Sequence, residues 1–206
     1  MGLQMSKPLA FIDFETTGLS PEGGDRIIEV GIAVLQSGRI VDRYQSFINP
    51  QMRIPREVVT LTGIDDAMVR AAPKADHVMH EVMEFVGKLP LVAHNASFDR
   101  RFMDCELGRI RRRRASEFIC SLRVARRVYP AAPNHRLATL VRLTGVTPAN
   151  QYHRALGDAE MTAGLWIRMV EDIEQQHGIN MVSLELMQSL QSCRVSGAAE
   201  AIARFA

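Results

Sequence analysis

The chain has few cysteines, no long apolar run and almost no net charge, and each shortage removes a class of protein. Its three cysteines, Cys105, Cys120 and Cys193, are scattered and include no CxxC pair. They offer neither a disulfide framework nor a structural zinc site, and a reducing compartment is expected. No apolar stretch reaches membrane-spanning length, and the opening "MGLQMSKP" lacks the hydrophobic core of a secretory signal. A soluble, cytoplasmic protein with no membrane partner is expected. Internal repeats and low-complexity linkers are also missing from the sequence.

A net charge of +2 over 206 residues says little about nucleic acid, but the charge is unevenly spread. Between Arg100 and Arg127 ten arginines stand against three acids, and Arg111, Arg112, Arg113 and Arg114 are consecutive. Such a region can face an anion. It can equally be a solvated helix end or loop.

Hydrophobic residues make up 47% of the chain, enough for one sizeable core. "LAFIDFET" at 9–16 is dense in apolar and β-favouring types and reads as a buried strand. "GLSPEGGDR" is turn-rich, and "IIEVGIAVLQ" and "IVDRYQSFINP" follow, separated by "SGR". These short links predict three neighbouring antiparallel strands. Val78, Val82, Met83, Phe85 and Val86 mark an amphipathic helix that leads into a short strand, "LVAHN". "SFDRRFMDCELG" predicts a helix with Ser97 as N-cap and Gly108 as stop. A strand "EFICS" and four helices, at 122–129, 136–145, 154–176 and 182–192, complete the pattern. An α/β fold is expected, with a central mixed β-sheet of about five strands flanked by helices. Residues 1–7 are expected to be a flexible start, 8–176 one domain and 177–206 a helical extension.

Side chains alternate along a strand, so Asp13 and Glu15 share one face while Ile12 and Phe14 share the other. Two carboxylates side by side in a partly buried patch repel and drift toward protonation unless a cation neutralises them. A divalent metal would do this; pairing with arginine or exposure to solvent would also suffice. Asp99 follows the strand "LVAHN" near a helix start, and Asp158 lies in the first turns of the long helix, close to His153. Each alone is compatible with an ordinary helix-start acid, a solvated acid or a loop histidine.

Taken together, "FIDFETTGL", "LTGI" at 61–64, "LVAHNASFD" at 91–99 and "HRALGDA" at 153–159 stand in the order and spacing of the DEDD exonucleases. The chain resembles their histidine branch, which includes the proofreading epsilon subunit of bacterial DNA polymerase III. The resemblance spans about Pro8 to Gln176 and makes 8–176 an exonuclease domain. It implies a ribonuclease H-like fold and release of single nucleotides from a DNA 3′ end in the presence of two divalent cations, Mg²⁺ or Mn²⁺. Asp13, Glu15, Asp99 and Asp158 become the metal-site acids, and His153 the general base that moves into place with substrate. Thr16, Thr17, Gly18 and Leu19, with Thr62, Gly63 and Ile64, are expected to seat the terminal nucleotide. His94 and Asn95 would orient Asp99 or the phosphate, and Arg111 to Arg114 could steer a single strand toward the acids.

Two other readings stay open: an RNA-trimming enzyme similar to oligoribonuclease or ribonuclease T, and a catalytically silent nucleic-acid-binding or polymerase-attached module. A DNA polymerase is a candidate partner, as is a sliding clamp. "QHGINM" at 176–181 faintly resembles a clamp-binding peptide anchored by Gln176, Ile179 and Met181, and a helix stopped at Gly178 explains the same residues.

Overall fold

Strands β1 (Leu9–Thr16) and β2 (Ile27–Gln36) are buried at most of their residues because they lie inside a sheet that helices cover on both faces. The computed structural model describes residues 7–147 and 153–205. β3 (Arg39–Phe47) is an edge strand and carries the exposed polar residues an edge tolerates. These three strands pair antiparallel, as expected. β4 (Leu91–Ala93) and β5 (Phe118–Cys120) add parallel pairings, giving five strands in the order β3-β2-β1-β4-β5.

The described helices are α1 (Arg56–Thr62), α2 (Asp66–Arg70), α3 (Ala75–Val86), α4 (Ser97–Arg109), α5 (Ser121–Val128), α6 (Leu137–Thr144), α7 (Ala155–His177), α8 (Leu184–Ser192) and α9 (Ala198–Ala203). α1, α2 and α9 have seven, five and six residues, too few for an apolar period to emerge from sequence. Ser97 is the first helical residue of α4 and makes no cap bond, and Gly108 sits inside the last turn, not beyond it.

Alternation along β1 separates two cores. Leu9 and Phe11 face α5 to α9, while Ala10, Ile12 and Phe14 face α3 and α4. Trp166 of α7 is fully buried and meets Phe11 edge to face with ring centroids 6.0 Å apart. Truncating either ring to alanine is expected to cost about 3–5 kcal/mol. Leu186, Met187 and Leu190 of α8 and Ala201 and Ile202 of α9 are buried in the same core as Phe11. The helical extension is therefore packed into the body of the domain. Among the described residues no helix is long and apolar enough to cross a membrane.

Candidate active site

Strand β1 outruns its parallel neighbour. Its pairing with β4 ends at Phe11 opposite Val92, so Asp13 to Thr16 project past the sheet on that side. On the other side Asp13 lies opposite Gly31 and Glu15 opposite Glu29 of β2, with a register shift just before Thr16. Asp13 and Glu15 thus emerge on the α7 face at the open end of β1, while Ile12 and Phe14 are locked into the opposite core.

Two features of β2 bring α7 over these acids. At Gly31 the backbone of α7 comes so close that a Cβ would lie 2.0 Å from the Leu156 nitrogen and 2.2 Å from the Ala155 carbonyl carbon. Only glycine admits this approach. Two residues along, fully buried Glu29 accepts hydrogen bonds from Arg154 Nη2 (2.8 Å), Gln45 Nε2 (2.7 Å) and the Ala155 N–H (3.1 Å). Arg154 also lies over the Phe47 ring, 5.2 Å from its centroid. Glu29 therefore grips the residue after His153 and caps the first turn of α7. Sequence reading passed over both residues, since a glycine and a glutamate inside an apolar strand carry no spacing signal of their own.

The consequence is a cluster drawn from distant parts of the chain. Ligand atoms of Glu15, His153 and Asp158 all lie within 4.8 Å of one another, a group that could hold a metal ion. His153 is exposed and takes a left-handed backbone conformation, φ 59°. Asp158 accepts the backbone N–H groups of His153 and Arg154. The expected approach of His153 through the preceding loop falls partly on 148–152, outside the described residues, as does most of the flexible start at 1–7.

Asp99 reaches the same end from α4. It is buried, and its carboxylate accepts the Phe14 N–H, a donor left free because β4 has already ended. Its Oδ1 is buried without a hydrogen-bond partner. A buried carboxylate oxygen without a donor is costly unless a proton or cation is supplied. Burial pushes Asp99 up to about 7, against the pull of its N–H donors. Burial and Asp158 push Glu15 up to about 8, and burial pushes Asp158 to about 6. Asp13 is raised well above the ordinary carboxylate range by burial, then by Asp99, Asp158 and Glu15. The four acids thus share a site that favours neutral or cation-bound carboxyls, and their oxygen donors suit a hard divalent cation.

Beside Glu15 a cavity of about 430 Å³ is lined by Thr16, Thr17, Gly18, Leu19 and Thr62, as expected, and also by Val58 and Leu61 of α1 and Phe98 of α4. Leu19 and Leu61 are strongly exposed there, at 77% and 57%. Ile64 is fully buried against Ile28, Ile54 and Val69, so it cannot line this cavity, and Gly63 serves as the left-handed C-cap of α1. Residues 17–26 are tied down rather than loose. Thr16 Oγ1 donates to the Gly18 carbonyl (2.6 Å), Arg26 N–H to Thr17 Oγ1 (2.9 Å), and Arg26 pairs with Glu106 of α4 at 2.7 Å. At Gly18 a Cβ would lie 2.4 Å from the Asp25 carboxylate, which would have to shift to admit it.

The structure also places three other groups singled out in the sequence. His94 does not orient Asp99: its Nδ1 meets Ser121 Oγ at 3.0 Å and its Nε2 the His135 carbonyl at 2.9 Å. These contacts brace β4 against α5 and the segment before α6. Arg111 to Arg114 lie beyond the far end of α4, about 15 Å along its axis from Asp99. Arg114 is already paired with Asp104 at 2.8 Å. Ile179, one anchor of the clamp-like peptide, is buried in the core next to the left-handed cap Gly178, so it is unavailable to a partner.

Residues 10–166 match the sequence model of the exonuclease family. The PolC-type DNA polymerase III of Oceanobacillus iheyensis is 39% identical over 173 residues, 84% of this chain. That of Caldanaerobacter subterraneus is 37% identical over 171 residues, 83% of this chain. In both cases the chain spans 12% of the relative's length. Exonuclease X, solved in complex with 5′ overhanging duplex DNA, superimposes with TM-score 0.71 at 28% identity, covering 89% of this chain and 99% of its own. The nuclease domain of 3′hExo, a DEDDh family member bound to rAMP, has TM-score 0.73 at 22% identity over 82% of this chain and 94% of its own, a likeness of fold. The five-stranded sheet with α7 across it is thus the ribonuclease H-like fold expected from sequence, and this chain belongs to the exonuclease family.

Proposed function

We propose that this chain is a metal-dependent 3′–5′ exonuclease that releases nucleoside monophosphates from single-stranded or frayed DNA 3′ ends, in proofreading or repair. One observation carries the reading: carboxylates from β1, α4 and α7 converge at one end of the sheet, where a buried Asp99 oxygen lacks a partner. Asp13, coupled electrostatically to the other three, would be shared by two cations. Glu15 and Asp158 would hold the first and Asp99 the second, either as Mg²⁺ or Mn²⁺. When bound, such ions supply positive charge to the attacking and leaving oxygens of an in-line displacement.

The chain's own residues do the rest. His153 stands in solvent beside Glu15 and Asp158, where its imidazole accepts the proton of the attacking water. Leu19, Leu61 and Phe98 offer apolar surface for the terminal base next to Glu15. The anchored 17–26 segment keeps that seat in register with the acids. The DNA bound by Exonuclease X and the polymerases among the similar proteins favour DNA as substrate and a polymerase as working partner.

Matched 3′-extended DNA and RNA strands, offered with Mg²⁺ or Mn²⁺, test the proposal. A ladder shortening from the 3′ end of DNA is expected, and none from Asp13→Ala or Asp158→Ala. Equal degradation of 3′-blocked strands refutes the polarity, and faster loss of RNA moves the substrate to RNA.

A further inference from the structure

The charge that the sequence concentrates between residues 100 and 127 divides in space. Within that stretch Arg109 is paired with Glu106, Arg101 with Glu22 and Arg114 with Asp104. Arg127 donates to the Cys193 carbonyl. Arg100, Arg123 and Arg126 are exposed, and among the described residues none of them has an ion-pair partner. All three line one groove of about 460 Å³, which contains no aspartate or glutamate.

The groove is assembled from elements far apart in sequence. Arg123 and Arg126, three apart on α5, share its outer face, while Val124 and Ala125 are buried in the core behind them. Arg100 comes from the first turn of α4, one residue after Asp99. Asn95 and Ser97, which precede that acid in the chain, also line the groove, as does Gln191 of α8, whose Oε1 accepts the Cys120 N–H at 2.9 Å. Helix α8 therefore supplies a wall of the groove. Three guanidinium groups gathered without a counter-acid repel each other, and a bound polyanion removes that repulsion while releasing counterions.

We propose that this groove binds the phosphodiester backbone of the single strand leading to the candidate active site. The proposal rests on the exonuclease reading and adds where the strand runs: along α4, α5 and α8 on the Asp99 side of the acids. Continuity with the turn that carries Asp99 favours a nucleic-acid strand over an acidic protein. The consecutive Arg111 to Arg114 lie at the opposite end of α4 and are not part of this path.

The test measures binding of the whole chain to a fluorescent decanucleotide in EDTA, where no hydrolysis intrudes, across a salt series. Arg123→Gln/Arg126→Gln should make the slope of log K against log salt shallower by about 1.4, about 0.7 for each lost phosphate contact. With metal present, KM for the decanucleotide should rise and kcat should change little, so the advantage of long over short substrates narrows. Both side chains are exposed, so the melting temperature should match wild type, which separates lost binding from misfolding. A wild-type slope in this variant overturns the groove. So does a slope that instead follows Arg111→Gln/Arg112→Gln/Arg113→Gln, or an equal loss of binding to polyglutamate. Hydrolysis of the p-nitrophenyl ester of thymidine monophosphate by the wild type reports the chemistry separately. Its absence refutes the exonuclease reading, and the slope in EDTA still decides the groove.

Discussion

Gly31 is placed to decide whether the acids meet. A methyl group there would start 2.0 Å from the Leu156 nitrogen, 2.2 Å from the Ala155 carbonyl carbon and 2.4 Å from Leu156 Cα. These are backbone atoms of a helix and cannot swing aside as a side chain would. Ordinary contact begins near 3.4 Å, so Gly31→Ala must move the first turn of α7 by roughly 1.4 Å or bend β2 by as much. That turn carries Asp158 and follows His153, whereas Asp13 and Glu15 stay with the sheet. A misplacement of about 1 Å in a reacting constellation can cost about 100-fold, close to 3 kcal/mol of barrier. The expected outcome is therefore a kcat on a single-stranded 3′ end lowered about 100-fold or more. Thermal unfolding should report a smaller loss of stability, about 1–3 kcal/mol, as for other overpacked cores. The metal-induced rise in melting temperature should shrink in parallel, because the cluster that would hold the ion is pulled apart. A Gly31→Ala protein that keeps kcat within about threefold of wild type would refute the argument that this close approach assembles the site.

Glu29→Gln removes the charge that grips Arg154 while keeping the shape, and should lower kcat about 10-fold with a smaller effect on KM; unchanged turnover shows that the grip is not needed to place His153. His153→Ala should slow turnover by about 100-fold or more while metal-free binding of a single strand stays near wild type, read by single-turnover kinetics and fluorescence anisotropy. Glu15, Asp99 and Asp158 have folded values near 8, 7 and 6, all above their unfolded range near 4, so the protonated forms are favoured in the fold. Their stabilising effect is fully present below about pH 4 and is lost as pH rises through 6 to 8. Metal-free protein should thus lose melting temperature between about pH 5.5 and 8.5, and Mg²⁺ or Mn²⁺ should restore more of it at the upper end; a metal increment equal at both pH values contradicts this.

Much of the site was legible because its acids sit at the joints of regular elements. Asp13 and Glu15 announced themselves by breaking an apolar strand at a spacing of two, and Asp99, His153 and Asp158 acquired meaning through their spacing to those two. The cavity beside Glu15 was read in part. Thr16 to Leu19 and Thr62 line the cavity beside Glu15, but Ile64 turns into a small core and Phe98, Val58 and Leu61 take the positions it was expected to share. Those three look like ordinary helix residues, and only the approach of α1 and α4 to the end of β1 gives them a cavity-facing side. The groove arginines left no comparable mark in the sequence: a run is conspicuous in one dimension, whereas Arg100, Arg123 and Arg126 become neighbours only when α4 and α5 are placed side by side.

By itself the sequence determined the five-stranded α/β fold, through apolar runs whose lengths and alternation suit only strands or helices, and it named the acids. Tertiary structure decided what holds those acids together. Gly31 lets a helix backbone lie against a strand, and Glu29 spends its buried charge on Arg154 and the first turn of α7. Neither role can be seen in one dimension, because steric approach and the pairing of a buried charge are properties of two segments more than a hundred residues apart.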